Sequence, residues 1–145
     1  TKREKLIKND KIKFAKVTSS PMKMNKSIND FKINRKNKIN VFKGPEFDLL
    51  DSNSKDIIFN TDFTIGVNNR MGYNLVEPIE NSISSIISSP VMPGTVQLTP
   101  SGRLIILCRD CQTSGGYPRV LQLDKSSIDS LSQKTIGETI KLKLV

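Results

Sequence analysis

Apolar and polar residues alternate in short runs along much of the chain, the period-two signature of strands that bury one face. Ile39-Asn40-Val41-Phe42, Phe63-Thr64-Ile65-Gly66-Val67, Thr95-Val96-Gln97-Leu98, Val120-Leu121-Gln122-Leu123 and Ile140-Lys141-Leu142-Lys143-Leu144 all carry it, as does the more apolar Arg103-Leu104-Ile105-Ile106-Leu107. Near the start, residues 6–14 read as an Asn9-Asp10 turn leading into a strand, and Phe31-Lys32-Ile33-Asn34 as another short strand. Between them residues 18–30, rich in Ser, Lys and Asn with Pro21 inside, read as an exposed loop, and Gly44-Pro45 requires a turn. Short strands at such intervals, separated by Gly, Pro and Asn, predict a mainly β barrel or sandwich.

Two helices interrupt this pattern. Residues 46–59 are the best candidate near the middle, with Asp51-Ser52-Asn53-Ser54 offering N-cap residues for a turn through Ile57 and Ile58. Ser126-Ser127-Ile128-Asp129-Ser130-Leu131 supplies a cap and then apolar residues three apart, and Gly137 beyond it suits a chain reversal. There is no internal repeat.

A chain of 145 residues with 36% apolar content suffices for one domain with a core. No stretch approaches the roughly 20 apolar residues of a membrane span, and Thr1-Lys2-Arg3-Glu4-Lys5 opens no signal sequence, so a cytoplasmic protein without membrane contact is expected. The net charge of +9 raises nucleic-acid binding, but it is unevenly placed. Residues 1–43 hold 14 Lys/Arg against 3 Asp/Glu, and the remainder 9 against 11. That basic segment is also rich in Asn and Ile and has only Phe14, Phe31 and Phe42 for stacking on bases, so it reads as solvated surface, and nucleic acid is not the expected partner.

The chemistry of the common catalytic machineries is missing from the sequence. With no histidine, no P-loop, no Rossmann glycine fingerprint and no metal-ligand cluster, neither a triad nor a resident metal is expected. Cys108 and Cys111 have C-x-x-C spacing but no second pair, and they fall on opposite faces for as long as a strand through Cys108 continues; two free thiols are expected.

Three polar, glycine-bearing clusters sit where strands end. In Arg109-Asp110-Cys111-Gln112-Thr113-Ser114-Gly115-Gly116-Tyr117-Pro118, paired glycines permit positive φ and the close approach of a ligand or another backbone; equally, Asp110 and Thr113 suit a tight connection. Asn68-Asn69-Arg70-Met71-Gly72-Tyr73 has a guanidinium fork fit for a carboxylate or amide carbonyl, although a hairpin turn with an exposed Arg70 is its default reading. Pro90-Val91-Met92-Pro93-Gly94-Thr95-Val96-Gln97, followed by a hairpin at Thr99-Pro100-Ser101-Gly102, places the Gln97 amide inside an apolar strand, where it needs a partner or a ligand.

In order and spacing these clusters resemble the KipA/PxpC family, also described as allophanate hydrolase subunit 2 or biotin-dependent carboxyltransferase. The resemblance runs through Gly44-Pro45, Arg70-Met71-Gly72-Tyr73, Pro93-Gly94-Thr95-Val96-Gln97, Gly102 and Asp110 to Pro118, covering roughly residues 40–145, while residues 6–14 are similar to the family's L-x-x-G-D-x-L segment. Cys111, Ser114 and Glu77-Pro78 stand where the family commonly has Arg, Thr and Gly-Pro. The family's N-terminal half, with its Thr-Val-Gln-Asp and Gly-Ala-Met-Asp signatures, has no counterpart, so the chain reads as a fragment or isolated lobe.

The resemblance implies a cyclophilin-like β-barrel lobe with one or two short helices over 44–145, joined in a single domain to basic strands and a loop over 1–43. It implies a subunit of an ATP-dependent 5-oxoprolinase or a related amide hydrolase or carboxyltransferase complex acting on a small amide substrate, the isolated lobe being inactive. The alternative is a noncatalytic module that regulates a KipI-like kinase inhibitor. Partners would be a KipI/PxpB-like subunit and a LamB/YcsF (PxpA)-like one. No cofactor is assigned to the lobe; ATP would serve the complex, and biotin a carboxyltransferase. The expected site gathers Arg70, Tyr73, Gln97, Asp110, Gln112 and Thr113 with Gly115 and Gly116 on one concave surface. Arg70 would anchor an anion or carbonyl, Asp110 orient it or a substrate N–H, and the glycine amides meet an oxyanion.

Overall fold

The computed structural model describes residues 37–145. Along them run β1 (Lys38–Lys43), a 3-10 turn (Phe47–Leu49), α1 (Ser52–Asn60), β2 (Asp62–Asn68), β3 (Gly72–Leu75), β4 (Ser89–Pro90), β5 (Thr95–Leu98), β6 (Leu104–Leu107), β7 (Ser114–Gly115), β8 (Arg119–Leu123), α2 (Lys125–Leu131) and β9 (Thr139–Leu144). The turn and strand expected over 6–14, the loop over 18–30 and the strand over 31–34 lie outside the described residues.

Seven strands close into a barrel in the order β1-β8-β5-β6-β3-β2-β9, with β1 and β9 meeting in parallel and every other neighbour antiparallel. Closure removes the exposed edges that an open sheet would present. Alternation decides which residues fill the interior: Ile39 and Val41 from β1, Phe63 and Ile65 from β2, Ile140 and Leu142 from β9 are buried, and their intervening neighbours are not. Val96, Leu98, Leu104 and Ile106 from β5 and β6 join the same core, as do Val120, Leu121 and Leu123 from β8. β4 and β7 form a separate two-stranded pairing outside the barrel.

Both helices form, but the first is shorter than the 46–59 the sequence predicts: α1 starts at Ser52, because Leu50 and Asp51 are extended and cut it off from the 3-10 turn. Asp51 caps α1 by accepting from the Ser54 N–H at 2.7 Å, and α1 packs against β9. α2 begins at Lys125, its cap being Asp124 rather than Ser126, because Asp124 Oδ1 accepts from the Ser127 N–H at 2.6 Å and from the Ser126 hydroxyl at 2.9 Å. The Ser127 hydroxyl in turn accepts from the Asn40 N–H and fastens α2 to β1. No helix among the described residues is long and apolar enough to cross a membrane.

Two glycines show what the backbone required. Gly102, at φ +81°, closes the β5–β6 hairpin by donating its N–H to Thr99 O. Gly115 has no positive φ; a Cβ there would lie 2.6 Å from Gln97 Nε2, so close approach explains it.

Candidate functional site

β3 starts immediately after the Asn68–Gly72 turn, a β2–β3 hairpin turn with Arg70 exposed as in the default reading, but with the Arg70 side chain also paired. Asn69 Oδ1 accepts from the Met71 and Gly72 N–H groups and fixes the turn, so that Tyr73 is already a strand residue opposite Ile106 of β6. The same turn is tied to the loop after β6 by Cys108 N–H to Met71 O and Asp110 N–H to Arg70 O. With the two backbones docked, the side chains meet. Arg70 donates from Nε to Asp110 Oδ2 and from Nη2 to Asp110 Oδ1 at 3.1 Å, a two-point pair. The Arg70 hydrogen bond holds the Asp110 carboxyl below the usual aspartate range, despite a smaller opposing effect of desolvation.

This pair stands at a cleft of about 430 Å³ lined by Asn68, Asn69, Arg70, Tyr73, Cys108, Arg109, Asp110 and Ser132. Arg70 is 84% exposed at the side chain, leaving the guanidinium edge that Asp110 does not use open to a ligand. Arg109, also on the cleft wall, is engaged by its Nη2 on Asp129 of α2. Tyr73 is buried, with its hydroxyl directed at Lys134 O.

Gln97 and Gln112 lie elsewhere. They line a second cleft of about 230 Å³ with Asn69, Met71, Gly72, Asn74, Ile105, Leu107 and Tyr117. The pleat explains the separation: Tyr73, Ile106 and Val96 point into the barrel, so Asn74, Ile105 and Gln97 must point out of it. Asn69 borders both clefts. Of the remaining expected residues, Gly115 touches the Gln97 side chain from β7, whereas Thr113 and Gly116 line neither cleft. Their carbonyls accept from the Val91 and Ile86 N–H groups and hold the 86–91 segment in place.

A family model for the carboxyltransferase domain, subdomain A and B, matches residues 1–144. The chain belongs to the carboxyltransferase domain family. It is 33% identical over 107 residues to the C subunit of 5-oxoprolinase from Escherichia coli (strain K12), a match covering 72% of this chain and 34% of that protein. The protein of the same name from Haemophilus influenzae is 31% identical over 115 residues, covering 74% and 36%. These relatives assign the domain to the KipA/PxpC type, and it spans about a third of their length. Kluyveromyces lactis urea carboxylase shares the barrel, with a TM-score of 0.69 at 21% identity over 74% of this chain and 11% of that one.

This carboxyltransferase domain also holds an ion pair that periodicity and motif spacing do not reveal. Arg119 donates from Nη2 to Glu46 Oε1 at 2.6 Å and from Nε to Glu46 Oε2 at 2.9 Å, and both side chains are largely buried. Each charge adjoins a motif residue, Pro45 or Pro118, which was the available signal.

The cysteines flank the Arg109-Asp110 turn. β6 stops at Leu107, so strand alternation does not extend to Cys111, whose N–H donates back to Cys108 O at 3.1 Å. Burial pushes both thiols up, and the adjacent Cys111 adds to the effect on Cys108, the more deeply buried of the two. Both are therefore protonated and slow to react near neutral pH, and access decides between them. Iodoacetamide labelling followed by peptide mass spectrometry is expected to modify Cys111 several-fold faster than Cys108; equal rates would contradict this ordering.

Proposed function

We propose that this domain is the C-terminal lobe of a PxpC-type subunit in an ATP-dependent 5-oxoprolinase, or in a closely related amide hydrolase or carboxyltransferase complex, and that it contributes part of a small-molecule pocket. The carrying observation is the Arg70–Asp110 pair at the mouth of the larger cleft, in a chain whose curated relatives are both the C subunit of a 5-oxoprolinase. 5-Oxoproline offers a carboxylate and a lactam carbonyl, both acceptors that a guanidinium fork binds well. Asp110 occupies one edge of the fork and limits its rotation, so the remaining donors face the cleft in a fixed direction.

ATP would act elsewhere in the complex, and biotin would enter only if the reaction were carboxyl transfer. A KipI/PxpB-like subunit and a LamB/YcsF (PxpA)-like subunit would supply the rest of the machinery, in the cytoplasm. The test is reconstitution of the full-length protein with those two subunits and measurement of ATP-dependent glutamate release from 5-oxoproline. Release that requires all three supports the reading; an assembled complex that leaves 5-oxoproline intact overturns it.

A further inference from the structure

Cys108 and Cys111 are the only cysteines in the sequence, and the fold sets them at the two ends of one turn. The Cys111 N–H donates to Cys108 O at 3.1 Å and closes a four-residue turn with Arg109 and Asp110 at its corners. Such a turn keeps its end Cα atoms within about 7 Å, and a disulfide spans roughly 4.4–6.8 Å between Cα atoms. The backbone therefore holds the two residues at bridging range, with both thiols free.

The same turn is part of the larger cleft. Cys108 lines it, and Asp110 braces Arg70 at its mouth. The two ends of the turn are not held alike. Cys108 belongs to the core and donates its N–H to Met71 O at 2.8 Å, and Asp110 donates its own to Arg70 O at 3.1 Å. The next anchor along the chain is Thr113 O, which accepts from the Val91 N–H. Between these anchors Cys111 makes no hydrogen bond with the described residues beyond the one back to Cys108 O, and it is only half-buried. Cys111 is thus the end that yields when the sulfurs are joined. Asp110 is covalently next to it and its side chain is 45% exposed, whereas Arg70 sits on a turn pinned by Asn69 Oδ1. Drawing Cys111 toward Cys108 shifts Asp110 against a guanidinium that does not follow, and a two-point pair tolerates little displacement.

We propose that Cys108 and Cys111 form a reversible oxidation site, and that a disulfide between them loosens the Arg70–Asp110 pair and weakens ligand binding in the larger cleft. The oxidant is a low-molecular-weight disulfide of the glutathione type. The thiolate of Cys111, the more accessible of the two, attacks one sulfur of that disulfide, forming a mixed disulfide and releasing one thiolate. Cys108 then gives its proton to solvent and attacks Cys111 Sγ, expelling the second thiolate. The chain loses two protons and two electrons, and the oxidant becomes two thiols. Burial pushes the Cys108 thiol up and the adjacent Cys111 adds to this, while Arg109 pulls it down. In the mixed disulfide Cys111 has no charge to add, so the first step prepares the second. Under reducing conditions the thiols stay free and Arg70 stays braced; a surplus of the oxidised thiol closes the turn. The consequence for 5-oxoproline rests on the function proposed above.

The full chain is incubated with excess oxidised glutathione at mildly alkaline pH, quenched with acid and mapped by peptide mass spectrometry. The peptide spanning 108–111 is expected to become lighter by two hydrogens, one from each thiol, and to revert with dithiothreitol. Cys108→Ser should stop at the glutathione adduct on Cys111. NMR titration of the Asp110 carboxyl gives a readout independent of activity: the Arg70 hydrogen bond holds it below the usual aspartate range in the reduced protein, and oxidation should move it up toward that range. In the reconstituted complex, oxidation should lower kcat/KM for 5-oxoproline about tenfold, reversibly with dithiothreitol and not in Cys111→Ser. Glutathione adducts without a bridge, a bridge that leaves the Asp110 titration unchanged, or a bridge that leaves a working complex at full activity each overturn the proposed regulation. A bridge that shifts Asp110, in a complex that cleaves no 5-oxoproline, retains the oxidation site and rejects the enzyme assignment.

Discussion

Arg119→Ala is expected to destabilise the domain by about 3 kcal/mol and to lower its melting temperature by on the order of 10 °C. The Glu46 carboxylate accepts from three N–H groups of this one residue: Nη2, Nε and, at 2.8 Å, the backbone amide. Nη1 also reaches Pro90 O at 3.0 Å, so a single guanidinium joins the turn after β1, strand β8 and the outer β4 segment. At 19% and 15% side-chain exposure the pair is shielded enough that losing one partner strands a charge the other no longer balances. Replacing both residues with methionine should therefore cost less than replacing Arg119 alone, and a double-mutant cycle by urea unfolding measures the difference.

Acid should weaken the same pair. The Arg119 hydrogen bond holds the Glu46 carboxyl below its ordinary value of 4.5, outweighing burial, which pushes it up. A depressed folded-state pKa contributes fully above the unfolded value and is lost as pH falls through the folded one. Wild type should thus lose stability more steeply than Arg119→Ala on acidification below about pH 4.5. Parallel acid limbs would show that the pair contributes nothing.

The barrel was legible because its strands obey one rule over five or so residues. Ile39/Val41, Phe63/Ile65 and Ile140/Leu142 mark their buried face by alternation alone, and Asp51 marks a helix start by its chemistry. β3 was not legible. Gly72-Tyr73-Asn74-Leu75 is four residues long, opens on glycine and follows two asparagines, so local preference favours a turn; pairing with β2 and β6 makes it a strand. The candidate site was half legible for a related reason. That Arg70 and Asp110 belong together follows from charge and placement at strand ends, but whether Gln97 shares their cleft depends on which face of β5 is interior. The neighbours β6 and β8 decide that, and no residue near Gln97 in sequence reveals it. Glu46 and Arg119, 73 positions apart, carry no periodic pattern at all.

On the proposed function, Arg70→Ala in the full-length protein, assembled with the proposed partners, is expected to lower kcat/KM for 5-oxoproline by about 10- to 100-fold, the range for losing charge-assisted hydrogen bonds. Its effect on folding should be slight, because the side chain is 84% exposed and the surface pair it forms is well solvated. The turn that carries it is held by the Asn69 side chain and by two backbone hydrogen bonds to the loop after β6, none of which the substitution removes. Arg70→Lys separates charge from geometry. An ammonium keeps the positive charge but cannot engage Asp110 and a ligand through one planar fork, so it should recover only a small part of the lost activity. Asp110→Asn tests the positioning role, since the guanidinium stays but loses its charged brace; KM should rise more than kcat falls if Asp110 only orients Arg70 toward the substrate carboxylate. Unchanged kcat/KM in Arg70→Ala, with the complex intact by gel filtration, would show that the larger cleft is not where substrate binds.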